Sequence, residues 1–333
     1  MPICKPICLA PISDWLYPTI TMGRVNLPDL SILCCKRRIE TRQICQELKM
    51  KAKELYEKID KDFEIEKYKD DWGFVEFNEF INPKFKERYI GVMLDNSYKI
   101  EKVYTSTIPD TIVLDKILAQ NETDILLFSH HAMGYDPTLE GFPFYNIPVK
   151  YLKQLKEKHI SFYVMHIPLD KNSPYSTSVN LAKALQLQVN DEFCEYLGTK
   201  VGVICETDFT KLSDFTRHVR NIIGHDIKVK QYGDEMIKHK KVAIAAGGGC
   251  IDFVARELST LDINTYLTGV SKPMPSFEPG MEFHRIAKEN KINVIGATHY
   301  STEKFACIAM VDYFTRLGME AEYIEGTPCM EDL

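Results

Sequence analysis

The sequence of 333 residues has no long apolar run and no surplus of basic side chains. Apolar runs such as residues 125–128 are far shorter than the roughly 20 residues that cross a bilayer. The first residues, MPICKPICLAPISDW, place proline and aspartate where a secretory signal needs an unbroken apolar segment. We therefore expect no membrane span and a cytoplasmic location.

The charge balance is mildly acidic, with 41 basic and 47 acidic side chains and a formal net charge of -6. This balance argues against a nucleic-acid groove or an anionic membrane surface as the main binding partner. The 10 cysteines do not indicate a disulfide-held domain, because the chain is far larger than the small secreted domains that depend on disulfides. We expect a reducing compartment and mostly free thiols.

Composition divides the chain into four segments. Residues 1–40 are rich in proline and cysteine, but their cysteine spacing lacks the paired CxxC of a zinc module. We expect them to be a poorly packed N-terminal extension. Residues 41–190 and 241–333 are predicted to form a first and a second α/β lobe. The more charged, glycine-punctuated stretch 191–240 is predicted to connect the two lobes.

Apolar periodicity predicts the secondary structure of both lobes. The predicted strands are residues 89–94, 124–129, 161–165, 241–246, 265–268 and 292–296. The predicted helices are residues 41–62, 112–120, 149–158, 179–185, 251–258 and 281–289. Short apolar strands that alternate with amphipathic helices predict an α/β fold whose parallel or mixed sheets are covered on both faces.

Three predicted strands end in side chains that bind metals. His130 and His131 follow the first of them, and His166 and Asp170 follow the second. The third strand is followed by His299 and Glu303, which have the spacing HxxxE. Because ligand crevices in parallel sheets lie outside the carboxyl ends of the strands, we expect these side chains to meet. If both residues of the last pair are near a helix that Ser301 caps, they project toward one side.

This set of side chains suits a pair of divalent cations. Imidazoles supply one lone pair each, and a carboxylate can bridge two ions with its two oxygens. A histidine-rich set without thiolates fits zinc, manganese, iron, cobalt or nickel better than calcium, and it does not distinguish among those five. Each short motif alone is weak, since a lone histidine or a HxxxE pair is often only structural. The coincidence at three strand ends carries the prediction.

His166 keeps several roles open: third ligand, hydrogen-bond partner of a ligand, or general acid/base. We favour a role outside the coordination sphere and treat it as the candidate catalytic residue. The remaining histidines lie in charged helical or loop settings and are assigned to no site; they are His159, His218, His225, His239 and His284.

The glycine run at residues 247–249 follows a strand and precedes a helix, where backbone amides could hold a phosphate. The third glycine of GxGxxG is missing, so a tight turn is the preferred interpretation. Cys250 has no obvious base beside it, and a catalytic cysteine is not expected.

The segments DILLFSHH, FYVMHIPLD, SVNLAKALQL, VAIAAGGG, TYLTG and INVIGATHYSTE, in that order, resemble the Nif-three-like family, also catalogued as homologues of GTP cyclohydrolase one type two. The resemblance runs from about Lys51 to the last residue. It implies two related α/β lobes, a site between them at strand ends, and a ring-shaped homohexamer.

The same resemblance implies that two metal ions are held by His130, His131, Asp170, His299 and Glu303, with Glu303 bridging. His131 and Asp170 would complete the set of one ion, and His130 and His299 that of the other.

The sequence also departs from the family pattern at three places. Ala132 follows the histidine pair instead of proline, and Thr298 replaces the glycine expected before the late histidine. Residues 270–273 contain neither the usual acidic residue nor the later histidine, for which His284 could be a displaced counterpart. These changes leave the proposed ligands intact and concern the substrate contacts.

The expected function is that of a dinuclear metal-dependent hydrolase. A metal-bound hydroxide would attack an unknown small-molecule substrate, such as a nucleotide or phosphoester, with His166 as a proton shuttle. The alternative is a non-catalytic metal-handling or regulatory protein-interaction factor. The sequence does not decide whether the chain is an enzyme, and the family's cyclohydrolase label does not establish that reaction.

Overall fold

The computed structural model of the chain describes residues 50–72, 75–139 and 142–333. The predicted extension at 1–40 and the first part of the predicted helix 41–62 lie outside the described residues. The helices are α1 (Ala52–Asp62), α2 (Phe85–Arg88), α3 (Thr111–Ala119), α4 (Val149–Glu157), α5 (Ile167–Asp170), α6 (Thr177–Ala184), α7 (Leu212–Ile223), α8 (Asp252–Thr260), α9 (Glu278–Glu289) and α10 (His299–Arg316).

The strands form two main sheets and one small antiparallel pair. They are β1 (Gly91–Leu94), β2 (Lys102–Ser106), β3 (Ile125–Ser129), β4 (Gly134–Tyr135), β5 (Phe144–Tyr145), β6 (Ile160–Val164), β7 (Gln188–Tyr196), β8 (Thr199–Glu206), β9 (Lys228–Lys230), β10 (Lys241–Ala245), β11 (Thr265–Thr268), β12 (Asn293–Gly296) and β13 (Glu320–Tyr323).

The first sheet has the strand order β1-β6-β3-β2-β13. Its four strands from β6 to β13 are parallel, and β1 runs antiparallel to β6. The second sheet has the order β7-β8-β10-β11-β12-β9, with β10, β11 and β12 parallel. Helices connect the parallel strands, as a parallel connection requires. The predicted α/β fold with mixed sheets is therefore confirmed.

Each predicted strand is present, with ends that differ by at most two residues from the prediction. The segment 191–240, expected only to connect the lobes, contributes β8, β9 and most of β7 to the second sheet, and its helix α7 packs into a core cluster of that sheet. The strand β13 lies in the predicted second lobe, yet it pairs with β2 of the predicted first lobe and completes the first sheet. The lobe boundaries stay a prediction. Within the described part of the chain, no helix is long and apolar enough to cross a membrane.

The sheets are buried on both faces because β3 and β10 carry apolar residues on both of their sides. On β3, Leu127 packs into the cluster on one face, and Leu126 and Phe128 pack into the cluster on the other. On β10, Ile244 and Ala245 divide in the same way between two further clusters. Each fully buried large side chain stabilises the fold by about 1.5–3 kcal/mol.

Helix α10 contacts both sheets. It follows directly from β12 of the second sheet, while Met310 and Phe314 pack into a core cluster on the first sheet. Phe305 on the same helix packs against the core of the second sheet. The first turn of α10 therefore lies where the carboxyl ends of strands from both sheets come together.

The helix begins after a residue with unusual backbone geometry. Thr298 has φ 64° and ψ 145°, a region that a β-branched residue rarely adopts. Its hydroxyl accepts a hydrogen bond from the Ser301 amide at 3.3 Å, so Thr298 is the N-cap. Ser301, which the sequence suggested as the cap, lies inside the helix instead. The glycine that the family pattern places here would carry no such strain.

We predict that Thr298→Gly stabilises the metal-free protein by about 1 kcal/mol. Removing the side chain relieves about 1–3 kcal/mol of strain. Two smaller effects oppose this gain. The greater backbone freedom of glycine in the unfolded chain lowers the stability by about 0.5–1 kcal/mol. Loss of the threonine cap lowers it by roughly a few tenths of a kcal/mol. Urea unfolding measures the difference. Thr298→Ser, which keeps the strain, should show no gain, and a Thr298→Gly protein less stable than wild type would contradict the prediction.

Candidate metal centre

The paired histidines lie directly beyond the end of β3. The amides of His130 and His131 still donate to the carbonyls of Ser106 and Thr107 at the end of β2, at 3.2 and 3.1 Å. Both imidazoles are buried, with exposed fractions of 0% and 1%. The chain therefore leaves the strand with both rings held toward the same site.

The second pair follows β6. His166 precedes the short helix α5, and Asp170 is the last residue of that helix. The hydroxyl of Thr177 donates to Asp170 Oδ1 at 3.0 Å and orients this carboxylate. Asp170 Oδ1 lies 3.4 Å from His130 Nε2. This contact brings together the segments that follow β3 and β6.

Glu303 connects the third segment to the other two. It lies one helical turn beyond His299 on α10, so both side chains project to the same side. Its Oε2 lies 2.8 Å from His131 Nε2, and its Oε1 lies 3.1 Å from His299 Nε2. Its Oε1 is also 3.6 Å from His130 Nε2. The structure thus brings together all five residues predicted as ligands.

Three overlapping groups formed by these side chains and His166 could each hold a metal ion, with ligand atoms within 4.8 Å of one another. The groups are His130, Asp170 and Glu303; His131, His299 and Glu303; and His130, His131 and His166. This grouping differs from the pairing that the family resemblance implied, because His130 lies beside Asp170 and His131 beside His299.

A buried ring nitrogen of His130 supports metal binding at this site. His130 Nδ1 lies 3.0 Å from the carbonyl of Met165, which can only accept, so Nδ1 carries a proton and Nε2 is the atom left to bind an ion. His130 Nε2 is buried and has no hydrogen-bond partner among the described residues, and it lies 3.4 Å from Asp170 Oδ1. A buried polar atom left without a partner costs about 1–3 kcal/mol, which a metal ion would offset. The donor set therefore fits divalent transition metals.

Opposite charges determine how the cluster titrates. Burial raises the pKa of Glu303, but His299, His131 and His130 together hold it well below its usual range. Burial lowers the pKa of His130, yet Asp170 and Glu303 reverse this and hold it well above its ordinary value. The pKa of His131 lies well below its ordinary value, chiefly because of burial. Glu303 is therefore ionised and His131 neutral, which are the states that bind metals, and an ion bound to His130 would displace the second proton of that ring.

Asp70 orients His166 and was missed in the sequence. Its Oδ2 accepts from His166 Nδ1 at 2.6 Å, and Trp72 packs edge-on against the same imidazole. His166 Nε2 is left facing Asp170, 3.6 Å from Oδ2. A carboxylate that accepts from one ring nitrogen is a common partner of metal-site histidines, because it fixes the tautomer.

The glycine run proves to be a turn that makes room for Glu303. A Cβ at Gly247, whose φ is 75°, would lie 2.1 Å from Glu303 Oε1. The Gly247 amide donates to Thr302 and the Gly249 amide to Thr268, so neither is free for a phosphate. The preferred interpretation of a tight turn with bare backbone therefore agrees with these contacts.

A cavity of about 230 Å³ opens onto the cluster. Its wall includes the aromatic side chains of Trp72, Phe142, Phe144, Tyr196 and Phe253. The carboxylates in its lining are Asp70, Asp71, Asp170 and Glu303, and the described lining contains no lysine or arginine. The cavity is smaller than the roughly 300–1,000 Å³ of sites that hold drug-sized ligands.

The other histidines lie apart from the three candidate metal groups. His284, the possible displaced counterpart, is buried on α9 with Nδ1 3.2 Å from the Tyr232 hydroxyl. The described cysteines are all free. Burial raises the pKa of the Cys250 thiol, in agreement with the expectation that it is not a nucleophile.

The site and fold together indicate a family of α/β proteins with a candidate metal centre at strand ends. A match to the Duf34/NIF3 (NGG1p interacting factor 3) family covers residues 74–327, and the chain belongs to this family. The resemblance found in the sequence is thereby confirmed.

Two curated relatives are each named a GTP cyclohydrolase 1 type 2 homolog. The one from Pyrococcus horikoshii is 28% identical over 53% of this chain and 67% of its own length. The one from Archaeoglobus fulgidus is 27% identical over 51% of this chain and 64% of its own length, so the match spans less than two thirds of that relative. The solved structure of a protein of unknown function, ybgI, superposes with a TM-score of 0.63 at 18% identity. That superposition covers 84% of this chain and 100% of the other, and it shows the shared fold.

We predict that Gly247→Ala weakens binding of added Zn²⁺ by at least about 10-fold, the loss typical when groups that orient metal ligands are changed. The new methyl group would displace the Glu303 carboxylate. Gly248→Ala is the matched control, because nothing lies within 4 Å of a Cβ at that position. Titration of both variants with Zn²⁺ against a competing chelator measures the effect, and equal affinities would contradict the role given to Gly247.

We predict that His284→Gln reduces the loss of stability in acid. Burial lowers the pKa of His284 from 6.5 to about 4, and Lys230 acts in the same direction. Between these two pH values the unfolded chain takes up a proton that the folded chain does not, so stability falls as the pH decreases. Urea unfolding with chelator at pH 7 and pH 4.5 measures this fall. Exposed His159→Gln should behave as wild type, and an unchanged slope in His284→Gln would refute the prediction.

Proposed function

We propose that the chain is a dinuclear metal-binding protein that acts as a metal-dependent hydrolase. The observation that carries this proposal is the Glu303 carboxylate, whose Oε2 lies 2.8 Å from His131 Nε2 and whose Oε1 lies 3.6 Å from His130 Nε2, in the other candidate metal group. A carboxylate shared in this way can belong to the ligand sets of two ions at once. The buried Nε2 of His130, which has no hydrogen-bond partner among the described residues, gives further support.

The proposed ligand sets follow the short distances in the site. His130, Asp170 and Glu303 would hold one ion, and His131, His299 and Glu303 would hold the other. When bound, two divalent ions supply Lewis acidity that activates water and polarises a substrate. The metal itself could be zinc, manganese, iron, cobalt or nickel, since all five accept this donor set.

His166 is the proposed proton carrier beside the metals. Its Nδ1 donates to Asp70, so Nε2 is the atom that holds or releases a proton toward the cavity wall. Burial lowers the pKa of His166, but Asp70 and Asp170 raise it above the ordinary value. This pair of carboxylates keeps the imidazole available as an acid near neutral pH.

The residues that line the cavity limit the size and charge of a substrate that fits it. Aromatic walls suit a flat ring, and the small volume suits a compact molecule. A nucleotide with several phosphates would meet four carboxylates and, among the described lining residues, no lysine or arginine. We therefore propose a small, weakly charged ring compound over a nucleoside triphosphate as the substrate.

A protein-interaction factor without turnover is the second candidate. The family description itself names an interacting factor, and the metal cluster could serve a binding role as well as a reaction. The homohexamer implied by the resemblance and the cytoplasmic location also stay proposals.

We predict that purified protein contains two equivalents of transition metal per chain, and that Glu303→Gln loses both metal and turnover. Elemental analysis gives the metal content. A screen of small heterocyclic amides, nucleosides, nucleotides and phosphoesters tests the activity. Exposed Glu54→Gln is the control and should keep both properties.

Three results separate the candidates. Turnover that disappears in Glu303→Gln supports the hydrolase. Two metals without turnover across the screen would favour the interaction factor. A wild-type protein that binds no added transition metal would contradict the proposed centre altogether.

A further inference from the structure

The last residues of the chain lie beyond the family match, which ends at residue 327, yet they pack against the candidate metal centre. A short 3-10 turn spans Met330–Asp332, and the Asp332 side chain is 1% exposed. A buried carboxylate is costly unless its oxygens accept hydrogen bonds. The partners of Asp332 therefore indicate why it is buried.

Both oxygens of the Asp332 carboxylate are satisfied by groups at the site. Oδ2 accepts from the backbone N–H of His299 at 2.8 Å, and Oδ1 accepts from the Tyr135 hydroxyl at 2.6 Å. The Asp332 carbonyl accepts from the amides of Ser271 and Lys272, at 2.9 and 3.0 Å. The turn is thus tied to the loop after β11, to β4 and to the start of α10.

The hydrogen bond from Asp332 to His299 gives the first amide of α10 an acceptor. The first amides of a helix have no partner within the helix, and an acidic group near them is favourable. Thr298 caps only the amide of Ser301, so the amide of His299 is satisfied by Asp332 from outside the helix. The Tyr135 ring packs on the His299 imidazole with ring centroids 4.8 Å apart, and the Tyr135 hydroxyl donates a hydrogen bond to Asp332.

We infer that Asp332 is a positioning residue for the proposed metal ligand His299 and, through the first turn of α10, for Glu303. The inference rests on the proposed metal centre. Asp332 contacts no other proposed ligand by a hydrogen bond, and it acts by fixing where α10 begins. Groups that orient metal ligands typically change metal affinity by about 10–100-fold when removed.

Four variants separate this role from general stability. Asp332→Ala removes the acceptor, whereas Asp332→Asn keeps one oxygen for the His299 amide. Tyr135→Phe removes only the hydroxyl that holds the carboxylate. Glu331→Gln is the control, because Glu331 is the exposed neighbour that pairs with Lys272 at 2.9 Å.

The test measures the binding of Co²⁺ and Zn²⁺ to metal-free protein by chelator competition, together with the visible absorption of the Co²⁺ form. We expect Asp332→Ala to weaken binding at one ion or both by about 10–100-fold and to change the Co²⁺ spectrum. Asp332→Asn should recover most of the affinity, and Glu331→Gln should match wild type. A change in the spectrum reports altered coordination, which a loss of stability alone would not produce.

Wild-type affinity and spectrum in a folded Asp332→Ala protein would overturn the inference and leave the metal centre intact. If that variant does not fold by circular dichroism, Tyr135→Phe decides, with weaker binding expected and wild-type binding contradicting the inference. Absence of metal binding in the wild type would refute the proposed centre and the inference with it.

Discussion

The Glu303 carboxylate lies buried against the imidazoles of His130, His131 and His299, and much of the surrounding structure serves to place it there. An ionised carboxylate taken out of water needs compensating partners, and three rings from two separate segments supply them. The bare backbone of Gly247 gives it room. The position of this one side chain thereby links strand ends from both sheets.

Helix α10 carries that side chain and also holds the two sheets together. Its apolar residues fill core clusters of both sheets, so its position is fixed by packing before any metal arrives. Thr298 and Asp332 then determine where its first turn begins, one by a strained backbone and the other by a buried hydrogen bond. Rigid packing along the helix supports a precisely placed first turn, as a metal site requires.

The sequence was sufficient to predict most of the central strands and the meeting of five side chains. Apolar runs locate strands, and side chains just beyond parallel strands share one edge of a sheet. It was not sufficient for Asp70 or Asp332, because their partners lie 96 and 33 residues away without any local pattern. The hairpin of β7 and β8 was missed because β7 is mostly exposed and rich in polar residues. The cap at Thr298 was missed because threonine disfavours a positive φ.

The pairing of β13 with β2 has a consequence for how the chain folds as it is made. Residues 320–323 complete the edge of a sheet whose other strands all lie before residue 165. Until residues 320–323 have been made, β2 has an open edge with unpaired amides and carbonyls. Such an edge invites pairing with other strands. A chain that stops before residue 320 therefore keeps that edge of β2 exposed.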